Sequence, residues 1–150
     1  MMITPVRLVF VASLFTASVA LASTPNDALP PVQKAGSVTY MTGGIGSDAW
    51  KAMEEAAPAY PLELEFAVRA KPHDDFIAEV DVNIMNAQGH AVLSTTATGP
   101  FLLAKLPPGH YHIQATVEGK TLQRQVEVSS AHRRVFFEWP AEPGMMASGG

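Results

Sequence analysis

The sequence contains no cysteine, so neither disulfide bonds nor thiol chemistry can contribute to its fold or its activity. Stability must therefore come from the packing of apolar side chains. Basic residues are also few, since 10 Lys and Arg stand against 14 Asp and Glu and the formal net charge is −4. This balance, together with the lack of a basic stripe, argues against a nucleic-acid partner and against binding to anionic lipid.

The N-terminal apolar run, residues 8–21, is shorter than the roughly 20 residues that a transmembrane helix needs. It follows a single positive charge, Arg7, and ends in the small-x-small pattern Ala20-Leu21-Ala22 that a signal peptidase recognises. We therefore predict a signal peptide over residues 1–22, cut between Ala22 and Ser23, with no stable membrane anchor after cleavage. Export of a chain without cysteine fits best with a Gram-negative periplasm, and secretion from the cell is the alternative.

Residues 23–61 are expected to form a flexible lead-in, rich in proline and small polar residues, followed by a short helix at about residues 48–57. Ser47 is the expected N-cap, and Asp48 lies where the helix dipole favours an acid. Pro58 is expected to end the helix. Three apolar residues recur at helical spacing and predict one buried face: Trp50, Met53 and Ala57.

From residue 62 onward the apolar pattern has a period of two, which is typical of half-buried strands. Leu62, Leu64, Phe66 and Val68 alternate with Glu63, Glu65, Ala67 and Arg69. A second strand is expected over residues 76–84, with Phe76 facing inward, and further strands follow at short intervals. We predict an all-β domain over residues 62–139, with about seven strands in a two-sheet antiparallel sandwich, and a disordered tail over residues 140–150.

Several short segments carry a family resemblance. In chain order they are Val80-Asp81-Val82-Asn83-Ile84, Asn86-Ala87-Gln88-Gly89, Gly99-Pro100-Phe101 and Leu106-Pro107-Pro108-Gly109-His110-Tyr111. Together they resemble the carboxypeptidase regulatory-like domain, a seven-stranded Greek-key sandwich of the transthyretin (prealbumin) type. Upstream, residues 40–48 are similar to a segment of small secreted bacterial proteins of uncharacterised role that carry this domain.

The resemblance implies an accessory module with a structural or interaction role, and none of its motif residues is catalytic. The turn motif comprises Leu106, Pro107, Pro108, Gly109 and Tyr111. Its two prolines pre-set the backbone for a reversal, and Gly109 is expected to take a left-handed conformation. Tyr111 is expected to enter the core with its hydroxyl near the edge.

No nucleophile elbow of the form Gly-x-Ser-x-Gly is present, so we expect no enzyme and no cofactor. His110 and His112 form the one pattern typical of a metal site, because alternate strand residues share a face. Copper or zinc would need a third ligand, for which His90 and His132 are candidates, and Met145 and Met146 add a little weight for copper. The competing interpretation is an ordinary solvated sheet face.

The remaining polar motifs have simple structural interpretations. The glycines of residues 43–46 could present backbone amides to an anion, but no Lys and Thr pair follows them, and an entry turn to the helix is the favoured interpretation. Asp74-Asp75 is expected in a solvated turn, with weak calcium binding as the alternative. The leading hypothesis is therefore a non-enzymatic periplasmic sandwich that binds a protein or an envelope component through a sheet face or an exposed edge strand. A periplasmic metal-binding protein that uses His110 and His112 is the alternative.

Overall fold

A computed structural model describes residues 28–141 of the chain, and it is mostly β, with two sheets and one short helix. The predicted signal peptide with its cut between Ala22 and Ser23, and most of the predicted tail, lie outside these residues. The strands are β1 Gln33–Ala35, β2 Val38–Gly43, β3 Leu62–Val68, β4 Asp75–Phe76, β5 Val80–Asn86, β6 Ala91–Ala97, β7 Phe101–Lys105, β8 Gly109–Val117, β9 Lys120–Val128 and β10 Arg133–Trp139. The prediction of a mostly β fold with one short helix is confirmed for these residues, which contain ten strands, eight of them within residues 62–139, where about seven were predicted.

The ten strands form two sheets. The larger sheet has the order β1-β2-β7-β3-β10, with β4 paired to the end of β3, and the smaller sheet has the order β6-β5-β8-β9. Neighbouring strands are antiparallel except for β3 and β10, which are parallel. The expectation of purely antiparallel pairing is therefore wrong at this one pair, which needs no tight turn because the rest of the domain connects its two strands.

The main core lies between the two sheets and is built from the inward residues of both. Its largest fully buried side chains come from β3 and β10, where the rings of Phe66, Phe137 and Trp139 lie with their centroids about 6 Å apart. Tyr111 is buried in the same core, as predicted. Burial of these aromatic rings is a main source of stability in a chain that has no disulfide.

Within residues 28–141 one α-helix, α1, spans Ser47–Ala56 and continues as a 3₁₀ turn over Ala57–Ala59. Met53 and Ala57 are buried and Trp50 is partly buried, so the predicted apolar face is confirmed. This face covers the outer side of the larger sheet, where it contacts Phe101 and Leu103. Ser47 is not the cap, because it is already the first helical residue and the capping position belongs to Gly46.

The helix also explains why β3 is buried along its whole length. Glu63 and Glu65 are only 6% and 1% exposed, although alternation predicts that they face water. The prediction of a half-buried strand is wrong because β3 lies in the interior of the larger sheet, with the core on one face and the α1 layer beside the other. Its outward residues therefore come to lie in a second, partly polar interior.

The predicted strand over residues 76–84 is interrupted. Phe76 belongs to the two-residue strand β4 and is 44% exposed, whereas Ile77 is buried in the core. Glu79 has a positive φ of 59° and breaks the extended conformation before β5 begins at Val80. Phe76 instead packs edge-on against Trp50 of the helix, with ring centroids 4.4 Å apart.

Strand β2 joins the segment before the helix to the sandwich. Thr42 is 2% exposed, and its hydroxyl donates to the carbonyl of Phe101 at 2.8 Å. The amide of Thr98 donates to the same hydroxyl oxygen at 3.1 Å, and the Thr98 hydroxyl donates to the Thr42 carbonyl at 3.2 Å. Residues 38–43 are thus an integral strand of the larger sheet.

Candidate functional site at the edge of the smaller sheet

Four strands form the ends of the two sheets: β1, β10, β6 and β9. The end of a sheet leaves backbone N–H and C=O groups unpaired, and proteins commonly protect such edges with charged side chains. Three of these end strands carry charge, through Lys34 in β1, Lys120, Arg124 and Glu127 in β9, and Arg133, Arg134 and Glu138 in β10. Strand β6, Ala-Val-Leu-Ser-Thr-Thr-Ala, carries none.

The edge at β9 and β10 is closed by side chains. The guanidinium of Arg124 lies over the ring of Phe137, 5.4 Å from its centroid. The indole of Trp139 donates to the carbonyl of Lys120 at 3.1 Å, which ties β10 to β9. Arg124 lies two residues before buried Val126, on the same face of β9, and so points toward the other sheet, which is an arrangement that discourages pairing with a further strand.

The opposite side of the sandwich is arranged differently. There β2 faces β6, and the hydroxyl of Tyr40 lies 3.4 Å from the hydroxyl of Thr95. An open groove of about 620 Å³ runs along the start of β6 and the β1–β2 turn. Six of its lining residues are Ala35, Ser37, Val38, Val92, Leu93 and Tyr111.

Strand β6 has two distinct faces. Leu93 and Ala97 are buried and Thr95 is half-buried, and these residues face the core. Ser94 and Thr96 face outward, where their hydroxyls donate to the side chains of Asn83 and Asp81. Pairing with β5 is regular from Leu93 to Ala97, and the register shifts before it, opposite Ile84 and Met85. A regular five-residue edge is therefore available for pairing.

The predicted metal pair lies on the outer face of the smaller sheet, in β8. His110 is exposed opposite Glu127, and the Nε2 atom of His112 lies 3.1 Å from the amide oxygen of Gln123. Within residues 28–141, no group of three or more His, Asp or Glu side chains is arranged to hold a metal ion. Metal binding by this pair therefore stays a prediction.

The two suggested third ligands lie elsewhere. The backbone amide of His90 donates to Asn86 in the β5–β6 turn. His132 lies beside the larger sheet, with Nδ1 2.7 Å from the carbonyl of Tyr60 and Nε2 2.7 Å from a carboxylate oxygen of Glu63. Neither histidine joins His110 and His112 in a cluster.

In the turn motif the ring of Tyr111 is buried in the core and its hydroxyl lies near the edge, as predicted. The Tyr111 hydroxyl donates to the carbonyl of Pro107 at 2.6 Å, and burial raises the pKa of this hydroxyl. Leu106 is buried beside it in the core. Gly109 is not left-handed as predicted, because it already forms the first residue of β8, and a Cβ there would meet the Tyr111 ring only at an ordinary 3.7 Å.

The glycines before the helix are explained by packing. Gly44 has a φ of 102°, and a Cβ on it would lie 2.6 Å from the Phe101 ring. A side chain is therefore opposed by both the backbone conformation and the neighbouring aromatic ring. Asp74 accepts a hydrogen bond from the amide of Ala70, in keeping with the predicted turn.

A cluster of buried charges on the outer face of the larger sheet was not predicted. The carboxylate of Glu65 accepts a hydrogen bond from the guanidinium of Arg134, and Glu63 lies beside it with His132 as its partner. Burial raises the pKa of Glu65; the hydrogen bond and charge of Arg134 oppose this shift, whereas the carboxylates of Glu63 and Glu54 add to it. Alternation alone predicts these residues to be solvated, so no sequence signal marked the cluster.

The raised pKa predicts how Glu65 couples to stability. Because the folded state favours the protonated form, this group's contribution is full below its unfolded pKa, near 4.5, and is lost as the pH rises through the folded pKa. Glu65→Gln removes the titration. The free energy of unfolding of the variant minus that of the wild type should therefore become more positive as the pH rises from about 4 to about 8 in urea titrations, because only the wild type loses this contribution. The exposed Glu127→Gln is the control, and parallel curves for wild type and Glu65→Gln would refute the coupling.

No family model matches this chain, and no curated protein matches it. In the part of the chain that the structure describes, no helix is long and apolar enough to cross a membrane.

Proposed function

We propose that this chain is a non-enzymatic, exported binding module that acts in the periplasm and holds a protein or envelope component at the open edge of β6. The observation that carries the proposal is the contrast between edges: β6 has a regular, uncharged edge, whereas β9 and β10 carry charges, including Arg124 over Phe137. Main-chain hydrogen bonds from such an edge supply affinity in β-strand addition, and adjacent pockets supply specificity.

The proposal also includes the type of sandwich that the strands form. We take residues 62–139 to be a Greek-key sandwich of the carboxypeptidase regulatory-like, transthyretin type. In support, seven strands of this range have the order β7-β3-β10 in one sheet and β6-β5-β8-β9 in the other, and the chain crosses between the sheets at both ends of β7. Such modules serve as interaction units, which agrees with a role in binding.

The buried charge cluster supports a structural role rather than catalysis. Glu65 is bonded to Arg134, and Glu63 is bonded to His132, which also contacts the carbonyl of Tyr60. Each buried carboxylate therefore has a hydrogen-bonding partner that lies nearer the surface. Their geometry holds the β3–β10 pair and the residues before β3 together.

A matched pair of variants tests the proposal. Thr95→Lys places an ammonium on the inward face of the β6 edge, whereas Thr96→Lys places the same charge on the outward face beside Asp81. A strand paired with β6 would bury the first charge and leave the second in water. We expect partner capture from envelope extract to weaken by about tenfold or more for Thr95→Lys and to change little for Thr96→Lys.

Thermal unfolding of both variants is the control for folding. Capture that both variants retain would overturn the proposal, because binding would then use another surface. Loss in both variants, with the folds intact, would point to the added charge itself and would equally contradict the role of the edge.

A further inference from the structure

The larger sheet extends one strand further than the smaller sheet on the side of β6. At one side of the sandwich β10 lies over β9, where Trp139 bonds to Lys120. At the other side β2 lies over β6, where Tyr40 approaches Thr95. Each sheet has four strands between these two limits, and β1 is the fifth strand of the larger sheet. In the smaller sheet there is therefore room for one additional strand, next to β6 and facing β1. The groove described above lies at this position.

This width restricts what can pair with β6. Suppose that a second folded copy joined edge to edge, so that its β6 paired with the β6 of the first copy. The β2 strand of the second copy lies over its own β6, and it would therefore need the place that β1 of the first copy already fills. In antiparallel pairing of the two edges, which keeps both larger sheets on the same side, the two sandwiches would collide, since neighbouring strands in a sheet lie about 4.8 Å apart. A single extended segment meets no such obstacle.

The chemistry of the groove restricts the segment further. Its walls carry no Asp, Glu, Lys, Arg or His, and the hydroxyl of Tyr111, their one titratable group, is bonded to Pro107. The apolar surface that the groove exposes comes from Ala35, Ala91 and Val92, whereas Val38 and Leu93 are only 3% and 2% exposed. A charge at an inward position would be buried without a counterion. On the outward side the neighbours are Ser94, Thr96 and Asp81.

We infer that the groove receives a single extended segment of a partner protein, a free terminus or unfolded linker rather than the edge of a folded sheet, with uncharged apolar residues at alternate positions. This inference rests on the proposed function and adds the form and chemistry of the partner. The segment adds a fifth strand to the smaller sheet beside Leu93–Ala97 and packs its apolar side beneath β1.

Selection of a phage-displayed library of random short peptides against the mature protein tests the inference. We expect enriched peptides to alternate apolar and polar residues, with no charge at the apolar positions. Their binding should weaken about tenfold or more on Thr95→Lys and on Ala35→Trp, which fills the groove from β1. Two matched controls, Thr96→Lys and Lys34→Trp, change the opposite faces of the same strands and should leave binding unchanged.

The peptide selection has outcomes that would reject the inference. Failure to enrich any peptide, or enrichment of peptides that bind Thr95→Lys as well as wild type, overturns the inference. If Ala35→Trp does not fold, the Thr95→Lys and Thr96→Lys pair still decides the matter. Envelope capture that depends on Thr95 but persists in folded Ala35→Trp would retain the proposed function and reject the groove as its site.

Discussion

Gly99→Ala is expected to lower the free energy of unfolding by about 2–3 kcal/mol. A Cβ on Gly99 would lie 2.3 Å from the carbonyl carbon and oxygen of Gly43, far inside van der Waals contact. The neighbour is backbone, so no flexible side chain can move aside. Relief requires β2 to shift away from the β6–β7 connection, which disturbs the hydrogen bonds between Thr42 and Thr98.

Gly109→Ala is the matched control for that change. Its φ is not left-handed, and its added Cβ meets the Tyr111 ring at an ordinary distance. Urea unfolding followed by circular dichroism should therefore place Gly109→Ala near the wild type and Gly99→Ala well below it. Equal stability of the two variants would show that the close approach of β2 to residue 99 does not constrain the fold.

Arg134→Ala is expected to destabilise the protein by about 1–3 kcal/mol, because it leaves the buried carboxylate of Glu65 without its hydrogen-bond donor. The Arg134 side chain is itself 57% exposed, and solvent screens its charge, so the cost should lie toward the lower part of that range. Most of the lost stability comes from leaving the buried Glu65 carboxylate without a donor, rather than from the strength of the Glu65–Arg134 ion pair.

The double variant separates these two contributions. Replacing the pair by Glu65→Leu and Arg134→Met removes both charges together, and a well-packed apolar pair is commonly as stable as a buried ion pair. We expect the double variant to recover most of the stability lost in Arg134→Ala at neutral pH, as measured by urea unfolding. A double variant that is less stable than Arg134→Ala would show that the ion pair itself stabilises the fold.

The period-two pattern predicted the strands well but predicted burial poorly where a third layer is present. In β3 the alternation of Leu62 and Leu64 with Glu63 and Glu65 is real, and the inward set does form the core. The glutamates are buried because α1 covers the adjoining part of the same face, and single-strand periodicity carries no information about that layer. Phe76 was misplaced for a similar reason, since its partner Trp50 lies on the helix.

The candidate site shows the same division. Sequence reasoning suggested an exposed edge strand but could not say which one, because sheet order depends on contacts distant in the chain. The absence of charge in residues 91–97 is visible in the sequence. It indicates a binding edge only once the structure shows that β6 ends the smaller sheet and that β1 of the larger sheet extends beyond it. His132 likewise resembled a spare metal ligand until its contacts with Glu63 and Tyr60 were known.

Pairing of a partner strand with the edge of β6 should be visible in amide hydrogen exchange. Exchange would be measured on the protein alone and in complex with a peptide enriched from the library. Such pairing should give new protection in Ala91–Ala97 and Gln33–Ala35 and leave Lys120–Val128 unchanged. Protection confined to β9, to the α1 face or to the His110 side of the smaller sheet, with β6 exchanging as in the free protein, would contradict it.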